Sequence, residues 1–118
     1  MKNLVTWVDI PAVDFKRAVD FYSKLLQTKL EVFDCGEEKM ACFPTGEGAI
    51  SSAPGFNPSE NGPIVNFNCG NDLDGAIERV VELGGKIVHP KTKIEVEGRG
   101  WFALFIDSEG NRLGLYGD

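Results

Sequence analysis

The sequence predicts an α+β fold, in which two βαβββ repeats form a curled, cleft-bearing mixed β-sheet with the helices on its outer face. Three observations predict it. The stretch Asp14-Phe15-x-x-Ala18-Val19-Asp20 returns 58 positions later as Asp72-Leu73-x-x-Ala76-Ile77-Glu78, an interval close to half of the 118 residues. A hydrophobic strand pattern precedes each copy. A Lys-led strand follows each, Lys29-Leu30-Glu31-Val32 and Lys86-Ile87-Val88. Self-similarity at a fixed interval is an architectural signal, because each unit repeats one supersecondary pattern. One domain is expected over 1–118, with repeat one at 1–53, a crossover at 54–62 and repeat two at 63–118.

Leu4 to Ile10 is rich in Val, Ile and Trp and predicts a strand that Pro11 ends. Asp14 is a good N-cap. From there Phe15, Ala18, Val19, Tyr22, Leu25 and Leu26 fall on one helical face, with Lys16, Arg17, Asp20 and Lys24 opposite. Strands are expected over 29–35 and 39–44, joined by a turn at Gly36-Glu37-Glu38, and over 48–52. The segment 53–63 holds Pro54, Gly55, Asn57, Pro58, Asn61, Gly62 and Pro63, which marks an ordered crossover between the halves. Ile64 to Cys69 opens the second half as a strand. Asp72 is placed to cap a helix whose inner face is Leu73, Ala76, Ile77, Val80 and Leu83, and Gly84-Gly85 stops it. Strands follow near 86–89, 101–107 and 112–116, the last two joined by the turn Ser108-Glu109-Gly110-Asn111.

Composition bounds the partners. Hydrophobic content of 42% and charged content of 25% are those of an ordinary globule. A net charge of −6 argues against a nucleic-acid surface and against an anionic membrane, both of which call for a basic patch. No apolar run approaches the ~18–20 residues of a membrane span. Met1-Lys2-Asn3 runs straight into a strand pattern, so no signal peptide is expected. Cys35, Cys42 and Cys69 are odd in number and lack C-x-x-C spacing, which suits free thiols in a reducing cytoplasm.

Three stretches together resemble a known family. They are Asp14-Phe15-Lys16-Arg17-Ala18-Val19-Asp20-Phe21-Tyr22, Asn71-Asp72-Leu73-Asp74-Gly75-Ala76 leading to Leu83-Gly84-Gly85-Lys86, and Asp107-Ser108-Glu109-Gly110-Asn111-Arg112. In this order and spacing they resemble the vicinal oxygen chelate superfamily, the fold of glyoxalases, bleomycin-resistance proteins and extradiol dioxygenases. The chain is most similar to its small, single-domain bacterial glyoxalase-like members. The resemblance implies a homodimer. It also implies four positions at which enzymes of the superfamily hold a divalent metal through His, Gln or Glu, leaving open sites that polarise vicinal substrate oxygens. Carried onto this sequence, those positions are Trp7, Ser51, Ile64 and Gly114. None is a usual ligand. Their neighbours Thr6, Val8, Ile50, Ser52, Pro63, Val65, Leu113 and Leu115 supply none either. No metal and no cofactor are therefore expected.

Alternation along the strands gives an independent account of the cleft. It sends Val65, Phe67 and Cys69 under a helix, and Ile64, Asn66 and Asn68 toward the cleft. It likewise separates Thr6, Val8 and Ile10 from Val5, Trp7 and Asp9, and Leu113 and Leu115 from Arg112, Gly114 and Tyr116. The resemblance adds Phe102 and Leu104. The ligand-binding candidates are Trp7, Asp9, Ser51, Ile64, Asn66, Phe102, Leu104, Arg112 and Gly114, an aromatic and aliphatic pocket suited to a small organic molecule. No catalytic residue is assigned. Asp9 and Arg112 are the candidates, and a structural ion pair between them is the favoured reading, because structural pairs outnumber catalytic ones. Trp7 has two readings, ligand stacking or packing. His89 matches no ligand position and reads as incidental, and Cys69 reads as an inert thiol. The loop Glu97-Gly98-Arg99-Gly100-Trp101 has two readings, a plain hairpin connection or a glycine-hinged lid with Arg99 as an anion contact.

Three functions are compatible with these residues. The first is a metal-free binding module of the bleomycin-resistance type. The second is a metal-independent lyase or isomerase with Asp9 as general base and Arg112 or Asn66 steadying an oxyanion. The third is a scaffold for protein–protein interaction. A metal-dependent glyoxalase-type lyase or dioxygenase returns if the ligand assignment is wrong. The missing ligands favour the first.

Overall fold

A computed structural model describes residues 4–118. The Met1-Lys2-Asn3 start discussed above lies outside the described residues. The chain divides into two compact units, the first ending at Pro58 and the second spanning Ser59–Asp118. Each unit carries one helix and one four-stranded mixed sheet in the order βαβββ, the α+β arrangement that the repeat predicts.

In the first unit β1 (Val8–Pro11), α1 (Phe15–Leu25), β2 (Glu31–Asp34), β3 (Lys39–Cys42) and β4 (Gly48–Ser52) form a sheet of order β1-β4-β3-β2. The β1–β4 pair is parallel and the others antiparallel. Asp14 caps α1, its carboxylate accepting the Arg17 N–H at 3.1 Å, which satisfies one of the orphan donors of the first turn. Ala18, Phe21, Tyr22 and Leu25 are the buried face of α1, and Ala41 and Ile50 are fully buried in the sheet. Strand β1 begins at Val8, later than Leu4, because β4 begins opposite it at Gly48 and residues further back have no ladder to join. Leu4 and Val5 are accordingly exposed. Gly48 is required there, since a Cβ would lie 2.3 Å from the Val8 carbonyl oxygen.

In the second unit β5 (Asn66–Asn68), α2 (Leu73–Glu82), β6 (Lys86–Lys93), β7 (Trp101–Ile106) and β8 (Arg112–Gly117) form the order β5-β8-β7-β6, again with one parallel pair, β5–β8. Asp72 sits at the N-cap of α2 but makes no side-chain cap bond. Its carboxylate accepts from Arg79 at 3.2 Å instead. Gly84, at φ +86°, ends the helix, and the Gly85 N–H returns to the Val80 carbonyl at 2.8 Å. Strand β6 runs past the expected end at His89 to Lys93. It accommodates Pro90 as an edge strand with register shifts on either side of His89, so the missing N–H costs no ladder bond. The turn before β8 is built by Asp107 and Asn111, both buried. Asp107 Oδ1 accepts the N–H groups of Glu109 and Asn111, and its Oδ2 accepts the Asn111 side-chain amide. Asn111 Oδ1 in turn accepts the Ser59 N–H, which ties the start of this unit to the turn before its last strand.

Candidate functional site

The second unit contains an open pocket of about 500 Å³. Its apolar walls are Ile64, Ile94, Phe102 and Leu104, and its polar groups are Asn66, Asn68, Arg99 and Tyr116. Strand register puts most of them together. Asn66 lies opposite Gly114 and Gly114 opposite Leu104, while Asn68 lies opposite Tyr116 and Tyr116 opposite Phe102. Residues between them point the other way, so Ala103, Phe105, Leu113 and Leu115 are buried on the face that α2 covers.

Local contacts position Asn68, Tyr116 and the backbone that carries Arg99. Asn66 lies flat over Gly114, its Oδ1 1.9 Å from where a Cβ on that glycine would be. Asn68 Oδ1 accepts the Gly70 N–H at 3.0 Å. The Tyr116 hydroxyl accepts the Gly100 N–H at 3.0 Å. The connection carrying Arg99 is anchored on both sides. The Ile94 N–H donates to the Gly100 carbonyl at 2.9 Å, and Lys93 Nζ donates to the Arg99 carbonyl at 2.8 Å. Gly100 is buried so closely against the Gly117 carbonyl that a Cβ would lie 2.0 Å from its oxygen. His89 is half-buried, stacked on the Phe102 ring with centroids 5.0 Å apart, so the chain's one histidine supports a pocket wall.

The first unit gathers a different set. Asp9 Oδ1 accepts both the Trp7 indole N–H at 2.9 Å and the Ser51 hydroxyl at 2.8 Å. Ser51 is buried, whereas Trp7 is 41% exposed. The arrangement fixes the Trp7 ring and leaves Asp9 Oδ2 directed elsewhere.

The βαβββ units with their Asp14 and Asp107 motifs can be set against known proteins. A family model described as Glyoxalase/Bleomycin resistance protein/Dioxygenase superfamily matches residues 4–115. The chain belongs to this superfamily. Solved structures of similar fold include a glyoxalase/bleomycin resistance protein from Albidiferax ferrireducens, with TM-score 0.76, 16% identity and coverage of 98% of this chain and 99% of that one. The fosfomycin resistance protein FosX from Listeria monocytogenes gives TM-score 0.72 and 17% identity, covering 100% of this chain and 95% of that one. A hypothetical protein from S. aureus gives TM-score 0.67 and 15% identity, covering 100% of this chain and 96% of that one. No curated protein matches the sequence.

Within this glyoxalase-superfamily chain the expected site residues separate into groups. Ile64, Asn66, Phe102 and Leu104 line the pocket of the second unit. Gly114 lies beneath Asn66, and Arg112 stands outside the lining with its Nε buried and without a hydrogen-bond partner. Trp7, Asp9 and Ser51 meet in the first unit. Four lining residues were not among the ligand-binding candidates: Asn68, Ile94, Tyr116 and Arg99, the last named only as an anion contact in the lid reading of its loop. Alternation had already put Asn68 and Tyr116 on the right face. Ile94 directly follows β6, beyond that strand's expected end, and nothing in the sequence placed it at the pocket.

The registers also refine the repeat. Asp9 pairs with Ala49 and Pro11 with Ser51, as Asn66 pairs with Gly114 and Asn68 with Tyr116. The equivalent of Ser51 in β8 is therefore Tyr116, two residues beyond Gly114. Among the described residues no three His, Cys, Asp or Glu side chains gather at metal-binding distance. Burial raises the Cys69 thiol's pKa above its ordinary value, outweighing the Tyr116 backbone bond and the Arg79 charge, and its S–H donates to the Phe67 carbonyl. A neutral thiol is a poor nucleophile. No helix among the described residues is long and apolar enough to cross a membrane.

Proposed function

We propose that this chain is a binding protein of the glyoxalase/bleomycin-resistance type that takes a small organic molecule in the pocket of its second unit, without a metal. The observation that carries the reading is the pocket itself. It is about 500 Å³ in volume, walled by Phe102, Leu104 and two isoleucines, with a few oriented polar groups. That combination is the usual make-up of a small-molecule site.

The donor chemistry at the superfamily's metal positions supports the metal-free part. Trp7 offers only an N–H donor, already given to Asp9. Ser51 gives its proton to the same carboxylate. Ile64 has no donor atom, and Gly114 has no side chain. Tyr116, its structural alternative, has its oxygen on the Gly100 N–H. These residues do not fit a divalent ion, which takes carboxylate, imidazole or thiolate ligands.

The chain is further proposed to act as a homodimer. Edge strand β2 supports this, since Val32 and Phe33 on it are half-exposed. Native mass spectrometry of the protein purified without added metal tests all three statements. A dimer free of metal, carrying an organic adduct, is the expected spectrum. One tightly held divalent ion per subunit sinks the metal-free reading and restores glyoxalase-type metal chemistry.

A metal-independent lyase or isomerase is the second reading, and the ordered Asp9 carboxylate favours it. Its Oδ1 is occupied by Trp7 and Ser51, so a proton would be taken on Oδ2. Asp9→Asn separates the two. Turnover lost with ligand binding intact supports the enzyme, and both intact removes Asp9 as a base.

A further inference from the structure

We infer that the pocket of the second unit selects an organic anion, with its oxyanion group held by Arg99, Tyr116 and Asn68 and its apolar body against Phe102 and Leu104. The inference rests on the binding reading above and adds the chemical class of the ligand.

The argument is one of donors and acceptors. Asn68 spends its acceptor on the Gly70 N–H, and that bond fixes the amide orientation, so the NH₂ group is the end left for a ligand. Tyr116 likewise accepts the Gly100 N–H and keeps its own O–H proton to give. Arg99 has only donors, and no carboxylate lines the pocket to neutralise it. Three polar groups thus present protons to the same space. An acceptor-rich, negatively charged group is what such a set recognises.

The placement of Arg99 agrees. Its backbone is tied by Lys93 to its carbonyl, and the next residue is tied by Ile94 and Tyr116. The Arg99 side chain therefore extends from a fixed stem and lines the same pocket as Tyr116, whose hydroxyl engages the neighbouring glycine. In a chain of net charge −6, a cation lining the pocket also gives an anion a local attraction. The walls exclude a bare inorganic ion as the best fit, because Ile64, Ile94, Phe102 and Leu104 would stay wet around it.

Three probes of one shape test this. Benzoate, phenylphosphonate and neutral benzamide are titrated into ¹⁵N-labelled protein, with amide shifts read at Asn66, Asn68, Phe102 and Tyr116. The expected result is that one or both anions bind on the order of ten-fold tighter than benzamide, as a charge-assisted bond implies. Arg99→Gln should remove that preference and Phe102→Ala should weaken all three probes. Added salt should narrow the gap. The ratio of benzoate to phenylphosphonate tells a carboxylate site from a phosphonate or phosphate site. Equal binding of benzoate and benzamide, unchanged in Arg99→Gln, overturns the anion inference while leaving the pocket in place. Absence of shifts at the pocket with every probe overturns the binding reading and the inference together. Arg99 is exposed, so Arg99→Gln leaves the fold intact, which the unperturbed amide spectrum verifies.

Discussion

The two units agree on one sheet face and diverge on the other. On the helix-covered faces Ile50 lies opposite Ala41, and Leu115 opposite Ala103, and all four are fully buried. On the opposite faces the equivalent pairs are Asp9 with Ala49 and Asn66 with Gly114, then Pro11 with Ser51 and Asn68 with Tyr116. Ala49 keeps its Cβ, and the Asp9 carboxylate turns to Ser51 and Trp7. Gly114 has none, and Asn66 lies down over it. A packed face admits few solutions, because close packing penalises both cavities and excess volume. A face that need not pack is free to acquire chemistry, and the second unit's face lines a pocket.

The largest expected effects test the shared face. Ile50→Ala and Leu115→Ala should each cost about 2–5 kcal/mol, by lost burial plus the cavity left behind. The measurement is the urea midpoint at constant slope. Costs that differ several-fold between the two would break the claim that the helix-covered faces are equivalent.

The glycines come next. Gly48→Ala puts a Cβ against the Val8 backbone, which has no room to yield, and should cost about 1–3 kcal/mol. Gly114→Ala meets the Asn66 carboxamide, which can swing away, and Leu104 Cδ2 at an ordinary 3.4 Å, so its cost should fall below about 1 kcal/mol. Its visible effect should be a moved Asn66 amide signal. Equal destabilisation by both would mean that Asn66 is locked in place.

The repeat was legible because it is written in the packed faces. Helix spacing at Phe15, Ala18, Tyr22 and Leu25, and at Leu73, Ala76 and Val80, marks one buried side of each helix, which needs no partner information to read. Strand ends were less legible, since they depend on the partner's length: Leu4 and Val5 look like strand residues and have nothing to pair with. At the pocket, alternation identified the face of Asn66, Phe102 and Leu104. Arg99 was legible as a candidate anion contact in a glycine loop, but its position depends on the Gly100 contact with Gly117, which no local pattern encodes.

The helix caps give a smaller contrast. Asp14→Ala removes a cap bond and should cost about 1 kcal/mol. Asp72→Ala removes a half-exposed ion pair with Arg79, worth at most about 1 kcal/mol and commonly less. Thermal melts of the two variants should rank them in that order, and the reverse order would show that the Asp72–Arg79 pair replaces the cap in full.

The smallest effect concerns pH. Because burial raises the Cys69 pKa, the folded state disfavours the thiolate. Stability is unaffected by this group below its ordinary pKa and declines as pH rises past about 9. Cys69→Ser should flatten that decline in a pH series of melts. Exposed Cys35 should also alkylate well before Cys69, and simultaneous labelling near neutral pH would contradict the burial argument.

The clamp at Gly100 separates the tuning of the pocket from the maintenance of the fold. Position 100 tolerates no side chain, while the neighbouring Arg99 side chain projects outward and bears no weight in the core. In a saturation library, residue 99 should accept nearly every amino acid for folding and only cations for anion capture, with residue 100 showing the opposite profile. A lineage could thus exchange one ligand charge for another by a single replacement, with no compensating change elsewhere in the sheet.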